Sequence, residues 1–270
     1  VGTPLKDWDI NIYRGVLTGC NEAFIISTEK RNEILANCET EEERTRTSEL
    51  IRPILRGRDI KRYGYDWANL YLISTFPACH YDIEDYPAVK DYLLSFAEQN
   101  LRDSGNNWIA DSYLEDYCKQ KLAQTGKFIE ITGKRVYIGN TAEKARKRTS
   151  NKWFETQDSI SYWDLFFQPH ICWKAVGRNL AFAIVESGIF LTAPASFISA
   201  GIYNETIIHY LCSTVGKYFI YKNSDTTGAG DIMLNIQSLI QFPIPMKKFD
   251  SEGMSINEID NAIYKVYGFT

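Results

Sequence analysis

The chain has 270 residues, enough for one large domain or two small ones. Apolar residues make up 44% of it, which is ordinary for a globular protein, and no run of eighteen apolar residues occurs, so the sequence predicts no transmembrane helix. The formal net charge of −4 argues against a protein that binds polyanions with its whole surface.

The first half of the chain alternates β-type segments with helical ones. Residues 12–26 place β-branched and aromatic residues around two glycines, which predicts two short strands joined by a turn. Ser27 or Thr28 is suited to cap a helix that ends near Cys38. Apolar spacing and composition then predict a charged helix or loop at 40–49, a strand at 69–74, and helices at 85–101 and 111–124.

The second half has the pattern of short strands followed by helices. The last helix begins with a capping box, because Ser255 is followed three residues later by Glu258. The predicted elements are a hairpin at 127–138, a basic loop or exposed helix at 141–150, an antiparallel meander at 169–197, one helix at 204–221 and an amphipathic helix at 255–267.

A candidate domain boundary lies near Ser150, where a strongly basic stretch ends. Residues 127–152 hold eight basic and two acidic residues. We therefore predict a first lobe at 1–150, with a basic insertion near 103–152, and a second lobe at 151–270 that contains the strand meander and the C-terminal helices. A local basic patch of this kind binds phosphate even when the net charge is negative.

Two segments set glycine beside cationic side chains. Residues 13–24 read YRGVLTGCNEAF, and residues 55–63 read LRGRDIKRY. Glycine allows a positive φ or the close approach of a partner, and the fork of an arginine suits a phosphate or the edge of a guanine. Alone, this pattern is a weak indication of nucleic-acid binding.

Further segments strengthen that indication by their order. They are Tyr86-Pro87-Ala88-Val89-Lys90-Asp91-Tyr92-Leu93, WFETQ at 153–157, QPHICW at 168–173, FPIP at 242–245 and EIDNAIYKVYG at 258–268. Together with the glycine segments, this set resembles the TaqI-like C-terminal specificity, or target-recognition, domain of single-chain restriction-modification enzymes, which follows an adenine-N6 DNA methyltransferase domain. Gln168 and His170 replace lysines that are usual in the family, and residues 103–152 match little of it.

The resemblance implies a fold and a role. The fold would be α+β, with mixed, largely antiparallel sheets and flanking helices, like a target-recognition domain. The role would be that of the DNA sequence-recognition domain of a type II restriction-modification adenine-N6 methyltransferase, part of a bacterial-type defence. The partners would be double-stranded DNA and a methyltransferase domain in cis, with no membrane involved.

The resemblance also implies that the chemistry resides outside this chain. Adenine-N6 methyltransferases carry an Asn/Asp-Pro-Pro-Tyr/Phe motif, which is absent here, so we assign no catalytic residue and leave open whether the chain is an enzyme. The first residue is Val1 and not Met, and we expect the chain to be a piece of a longer protein or a processed one. S-adenosylmethionine would be the cofactor of the parent protein, and Mg²⁺ is a further candidate if the parent also cleaves DNA.

Twelve residues are candidates for contact with DNA, because each is a cation or an amide in a basic or glycine-containing segment. Phosphate contacts set the register and base contacts read the sequence. The resemblance implies that most reading comes from the half of the chain that contains the loop at 174–179, between two predicted strands. Each group has an ordinary alternative, as a soluble strand edge, a solvated face or a turn. The candidates are Arg14, Arg56, Arg58, Lys61, Arg62, Lys144, Arg146, Lys147, Arg148, Lys174, Arg178 and Asn179.

The cysteines and histidines indicate no metal site. Six cysteines are spread along the chain without a CxxC motif, and the three histidines have no metal-ligand spacing. We therefore expect reduced thiols and a cytoplasmic location.

Two alternative functions stay open. One is a self-contained nuclease or transferase, built from His80, Asp82, Glu84 and His170. The other is a protein-interaction module that docks a partner through an acidic surface and an aromatic cluster, although a cluster this dense is more often part of a core. The cluster consists of Trp153, Tyr162, Trp163, Phe166 and Phe167.

Overall fold

The fold was analysed in a computed structural model, which describes residues 1–96, 129–132, 135–138, 141–143, 150–152, 154–178 and 180–269. The α-helices in these ranges are α1 (Asn21–Phe24), α2 (Thr28–Ala36), α3 (Glu41–Leu50), α4 (Pro87–Phe96), α5 (Asn204–Cys212), α6 (Thr214–Asn223), α7 (Ile236–Leu239) and α8 (Ile256–Val266). Single 3₁₀ turns lie at Leu5–Asp7, Gly57–Asp59, Pro77–Cys79, Ile83–Asp85, Trp163–Phe167 and Gly201–Tyr203.

Short strands complete the secondary structure. They are β1 (Thr3–Pro4), β2 (Asn11–Arg14), β3 (Ile25–Ser27), β4 (Ile51–Leu55), β5 (Ile60–Lys61), β6 (Gly64–Tyr65), β7 (Leu70–Ile73), β8 (Ile129–Thr132), β9 (Arg135–Ile138), β10 (Thr141–Glu143), β11 (His170–Trp173), β12 (Val176–Gly177), β13 (Phe182–Val185), β14 (Phe190–Leu191), β15 (Ser196–Ser199), β16 (Asp225–Thr226), β17 (Ile232–Met233) and β18 (Pro243–Ile244).

The combination of separate helices with antiparallel strand pairs confirms the predicted α+β class. Contacts divide the chain into two compact units that are interleaved along the sequence. Unit 1 comprises 1–15, 55–68 and 164–270, and unit 2 comprises 16–54 and 69–163. The recognition lobes at 1–150 and 151–270 stay a prediction.

Unit 1 is built on a four-stranded antiparallel sheet in the order β13-β11-β15-β2. The central strand β11 is buried along its whole length, from His170 to Trp173, because it has a neighbouring strand on each edge. Cys172 pairs with Ala183 on one side and with Phe197 on the other. Helices α5 and α8 contribute Ile207, Leu211, Ile259 and Ile263 to the same apolar core. The antiparallel strands predicted at 169–197 are therefore confirmed as β11, β13 and β15, but the meander order is wrong, because β15 pairs with β11 and not with the preceding β13.

The single helix predicted at 204–221 is wrong, because the chain breaks at Ser213 between α5 and α6. Ser213 adopts an extended backbone conformation, donates its hydroxyl to the carbonyl oxygen of Tyr210 at 2.7 Å, and accepts the backbone N–H of Gly216 at 3.0 Å. It is thus the N-cap of α6. Gly216 is required here, since a β-carbon at that position would lie 2.2 Å from the oxygen of Tyr210.

Unit 2 contains β7, which pairs antiparallel with β3 and with β4. Ser27 and Thr40 are the N-caps of α2 and α3, and each accepts a backbone N–H from the first turn of its helix. The expected strand at 69–74 is confirmed as β7, and the segment at 40–49 is helical rather than a loop.

The buried Glu43 of α3 connects neighbouring segments of unit 2. Its carboxylate accepts the backbone N–H of Glu39 at 2.9 Å and that of Ala88 at 3.0 Å. Because Ala88 lies in the first turn of α4, these hydrogen bonds fix the start of that helix to α3.

The predicted hairpin at 127–138 is confirmed by the antiparallel pairing of β8 with β9. A correction applies to residues 141–150, for which a loop or a helix was expected. Residues 141–143 form β10, which pairs antiparallel with β9, so that β9 is hydrogen-bonded along both edges. The helix predicted at 111–124 lies outside the described residues.

Within the described ranges, no disulfide joins the cysteines, which are Cys20, Cys38, Cys79, Cys172 and Cys212. Within the same ranges, no helix has the length and apolar character needed to cross a membrane.

Candidate nucleic-acid interface

Unit 1 contains a groove of about 710 Å³ that is rich in cationic side chains. In the described part of the chain, the lining includes six Lys or Arg residues and no Asp or Glu, which gives a formal charge of +6. The whole chain, in contrast, has a net charge of −4. The six cations are Arg58, Lys61, Arg62, Lys174, Arg178 and Lys217.

The turn at 56–59 places the first of these cations. Arg56 donates from its Nε and Nη2 atoms to the two carboxylate oxygens of Asp59, at 3.0 and 2.8 Å, and its backbone N–H binds the same carboxylate. Asp59 is nearly buried, whereas Arg58 between them is exposed. The ion pair between Arg56 and Asp59 therefore stabilises a tight turn, and this turn directs Arg58 toward the groove.

The same pair shifts the pKa values of both partners. Burial acts to raise the pKa of Asp59, but the hydrogen bonds and the positive charge of Arg56 outweigh it, so the net pKa lies below its ordinary value. The hydrogen bonds to Asp59 raise the pKa of Arg56. Arg56 is thus a structural cation, and it does not line the groove.

Arg62 is fixed at the groove by a helix end. Its Nε and Nη2 atoms donate to the carbonyl oxygen of Cys212 at 3.2 and 2.9 Å. Cys212 is the last residue of α5, where carbonyl groups lack intrahelical partners, so a cation is well placed there. The guanidinium also lies 5.4 Å from the centre of the Tyr63 ring.

Lys174 enters the groove directly after β11 and passes between two glycines. A β-carbon on Gly57 would lie 3.1 Å from Cβ of Lys174, and one on Gly177 would lie 2.8 Å from its Cε and Nζ atoms. The two glycines therefore leave room for the lysine side chain on either side. Gly57 belongs to the basic segment 55–63 and Gly177 to the segment 174–179, so in both segments a glycine next to the cations makes room for Lys174.

The outer cations of the groove form weak ion pairs. Nζ of Lys61 is 3.6 Å from Asp66, and Nε of Arg178 is 3.7 Å from Asp231. Lys61, Asp66 and Arg178 are more than half exposed in these pairs. Exposed pairs of this kind contribute little stability, so an incoming anion can replace the carboxylates at small cost.

Helix α6 adds a face that the sequence analysis missed. Thr214, Lys217, Tyr218 and Tyr221 all line the groove and are exposed. Their spacing of three and four residues places them on one side of the helix. That spacing is visible in the sequence, but the two lysines of α6, Lys217 and Lys222, form no basic run, so the sequence alone predicts only a helix there. The floor is apolar and includes Leu180, Phe182 and Ile232.

The structure brings five of the twelve predicted residues together: Arg58, Lys61, Arg62, Lys174 and Arg178. Two others lie elsewhere in unit 1. Arg56 is paired with Asp59, and Arg14 ends β2 opposite Ser196. The other five, Lys144, Arg146, Lys147, Arg148 and Asn179, lie outside the described residues.

The residues proposed for an alternative catalytic site are dispersed over both units. His170 is fully buried in unit 1, and its Nδ1 atom lies 2.9 Å from the carbonyl oxygen of Gln168. Burial lowers the pKa of His170, so the ring is neutral in the core. His80, Asp82 and Glu84 belong to unit 2. Across the ranges that the structure describes, no group of three or more His, Cys, Asp or Glu side chains is placed to hold a metal ion.

The aromatic cluster is likewise divided between core and surface. Phe166 is fully buried and stacks on Phe190 with a distance of 4.4 Å between ring centres. Trp163 and Phe167 are each 37% exposed, and Trp153 lies outside the described residues. At least Phe166 is therefore a core residue and not part of a docking surface.

No family model and no curated protein match the chain. Two solved structures are similar to it over 99% of its length. One is the Type IIL restriction-modification enzyme MmeI in complex with DNA, with a TM-score of 0.51 and 11% identity, and the other is the type IIG restriction endonuclease BpuSI, with a TM-score of 0.46 and 12% identity. This chain spans 34% of the MmeI chain and 26% of the BpuSI chain. The similarity to MmeI shows that the chain has a fold found in a restriction-modification enzyme.

Proposed function

We propose that this chain is the DNA sequence-recognition domain of a restriction-modification adenine-N6 methyltransferase of the TaqI-like kind, and that it binds double-stranded DNA through the groove of unit 1. The observation that carries the proposal is the convergence of six cations on one groove of an acidic chain. They come from four separate places in the sequence: 58–62, 174, 178 and 217.

Such a concentration of charge has an electrostatic consequence. A cleft lined by one sign of charge over an apolar floor strengthens the local field and attracts counter-ions, while the acidic remainder of the chain repels them. A phosphodiester backbone is a polyanion whose binding releases condensed counter-ions. The groove therefore suits a stretch of that backbone.

The groove also offers the two kinds of contact that DNA recognition requires. Lys61, Arg62 and Lys217 are carried by regular elements or next to them, and we assign them to phosphates, which set the register. Lys174 and Arg178 lie in the connections that follow β11 and β12, and loops on a rigid sheet are suited to reading base edges.

The size of the groove limits what one site does. A volume of about 710 Å³ is in the range of pockets that hold a single small molecule, so it takes a short piece of one strand and not a whole duplex. The remaining contacts with the duplex would come from other parts of the parent protein, including a methyltransferase domain in cis that uses S-adenosylmethionine. That domain would also receive the target adenine, extruded from the duplex.

The experiment compares two variants with the same change of charge. In the groove variant, Arg58, Lys174, Arg178 and Lys217 are all replaced by Ala. In the control variant, Arg44, Lys247, Lys248 and Lys265 are replaced instead. Duplex binding is measured by fluorescence anisotropy between 50 and 200 mM salt, a range over which phosphate contacts strongly change the affinity.

The groove variant should bind more weakly and with a flatter dependence on salt. Each lost phosphate contact reduces the slope of log K against log salt by about 0.9, so the loss of Lys217 would reduce it by about 0.9, and a phosphate contact of Arg58 would add about the same amount. The control should keep the slope of the unmodified chain. Equal slopes in the two variants would show that net charge, and not the groove, governs binding, and the proposal would be withdrawn.

A further inference from the structure

The α6 side of the groove has more aromatic and apolar surface than phosphate binding needs. Tyr218 is 63% exposed and Tyr221 is 60% exposed, and both line the groove together with Lys217. Below them, Leu180, Phe182 and Ile232 form the apolar floor. Phosphate and sugar contacts can use the hydroxyl groups of the two tyrosines, but they use neither the ring faces nor this floor. Nζ of Lys222 lies 5.6 Å from the centre of the Tyr218 ring, so that ring already attracts a cation.

A nucleobase is a ligand that uses both features. Its flat face stacks on aromatic side chains of any kind, and its phosphate binds neighbouring cations. In an intact duplex, each base is stacked between its neighbours and its face is hidden. Only a base that has left the stack presents a face to a ring on the protein.

We propose that the α6 side of the groove stacks an unpaired DNA base on Tyr218 and Tyr221, while the surrounding cations hold the phosphates beside it. The groove would thus prefer DNA with a locally unstacked nucleotide over fully paired DNA. This inference rests on the proposed function and specifies the state of the DNA that the groove binds.

Charge and size favour this occupant over a protein partner. The six cations match the phosphates on both sides of a nucleotide, and a groove of about 710 Å³ has room for one nucleotide unit. Stacking does not depend on the identity of the base, so we expect little preference among the four bases.

The test uses two DNA probes that differ in one nucleotide. One is a fully paired duplex, and the other is the same duplex with a central unpaired 2-aminopurine. The proteins are the 270-residue chain and its variants Y218L/Y221L, Y218F/Y221F and Y264L. Leucine keeps apolar bulk without a ring, phenylalanine keeps the ring without the hydroxyl, and Tyr264 is a partly exposed tyrosine on α8 that does not line the groove.

The unmodified chain should bind the unpaired probe about 10-fold more tightly than the paired one and should quench its 2-aminopurine. The Y218L/Y221L variant should lose this preference, so that the ratio of its affinities for the two probes falls to about one. The Y218F/Y221F and Y264L variants should retain it.

Two outcomes would overturn the inference: equal affinity of the unmodified chain for both probes, or a preference that survives in Y218L/Y221L. Neither outcome bears on the proposed function. The proposed function is refuted by a different result, namely that binding of the paired duplex does not depend on the salt concentration. The comparison of the two probes with the unmodified chain remains decisive even if the leucine variant does not fold.

Discussion

The carboxylate of Asp260 holds the first residue of α6, because it accepts the backbone N–H of Thr214 at 2.6 Å and the hydroxyl of Thr214 at 2.5 Å. Thr214 is followed on the same helix by Lys217, Tyr218 and Tyr221, which line the groove. Asp260 belongs to the C-terminal segment 258–268 that carries part of the family resemblance. Segment 258–268 therefore affects the groove indirectly, because it positions α6, and α6 lines the groove.

Replacement of Asp260 by Asn should weaken this attachment. The helix would lose a negative charge at its N-terminus and one strong acceptor, which costs about 1–2 kcal/mol in the free energy of unfolding. Denaturation by urea measures the loss, and the affinity for duplex DNA should fall in parallel. N261A, which alters the exposed neighbouring residue on α8, is the control and should be neutral. Equal stability of D260N and N261A would contradict the assigned role.

The pair of Arg56 and Asp59 should make stability depend on acid pH. The pKa of Asp59 is lower in the folded chain than in the unfolded chain, so its contribution is present above the unfolded pKa of about 3.9 and is lost as the pH falls toward the folded value. At pH 7, D59N should be less stable by about 1–3 kcal/mol, because it breaks charged hydrogen bonds.

Urea denaturation of D59N at several pH values checks this prediction, and the difference from the unmodified chain should shrink below about pH 4. D66N serves as the control, since Asp66 is exposed and its pair with Lys61 is long. Its effect should stay within a few tenths of a kcal/mol. A difference for D59N that persists undiminished in acid would exclude the carboxylate as its source.

The buried ring of His170 should destabilise the fold as the pH falls from 7 to 5. Its pKa is lowered by burial, so in this range the unfolded chain binds a proton that the folded chain does not. The loss has an upper limit of about 1.4 kcal/mol per pH unit below the unfolded pKa of about 6.5. H170N, which retains a donor for the carbonyl of Gln168, should show a shallower decline in urea denaturation. H80N is the control with an exposed ring, and a decline in H170N as steep as in H80N would refute the prediction.

Lys174 should need the free space beside Gly177 in order to bind duplex DNA. In G177A, the added methyl group would meet the ammonium of Lys174 at 2.8 Å and displace it, so duplex affinity should fall toward that of K174A. In the K174A background, the same glycine substitution should have little further effect, because two changes that act through one side chain are not additive. G188A is the matched control, since Gly188 also has a positive φ but a β-carbon there meets no atom within 4 Å. Additive losses in the double variant would show that Gly177 acts independently of Lys174.

Local sequence signals were sufficient for the elements that depend on neighbouring residues alone. The capping box of Ser255 and Glu258 marked the start of α8, and the Ser27 cap marked the start of α2. The alternation of short apolar runs with glycine and proline marked the strands β11, β13 and β15, but not their order in the sheet. These features are encoded within a few residues, so they do not need tertiary contacts to be recognised.

The features that were missed depend on contacts between distant residues. The break at Ser213 is fixed by the close approach of Gly216 to Tyr210, which is not apparent from helical periodicity. Arg56 and Arg58 lie in the same basic segment, but the guanidinium of Arg56 binds Asp59 and does not line the groove. Lys217, Tyr218 and Tyr221 become part of a cationic site only when α6 is placed beside residues 58–62 and 174–178.

The hydrogen bonds between Arg62 and Cys212 should reduce the side-chain entropy that is lost when an anion binds at Arg62. A guanidinium has five donors, and this one uses two of them to hold itself against the end of a helix. The entropy of fixing the side chain is therefore lost when the protein folds and not when a ligand arrives. An anion at this position would meet a preorganised cation, whereas at the exposed Lys217 it must first immobilise a long side chain.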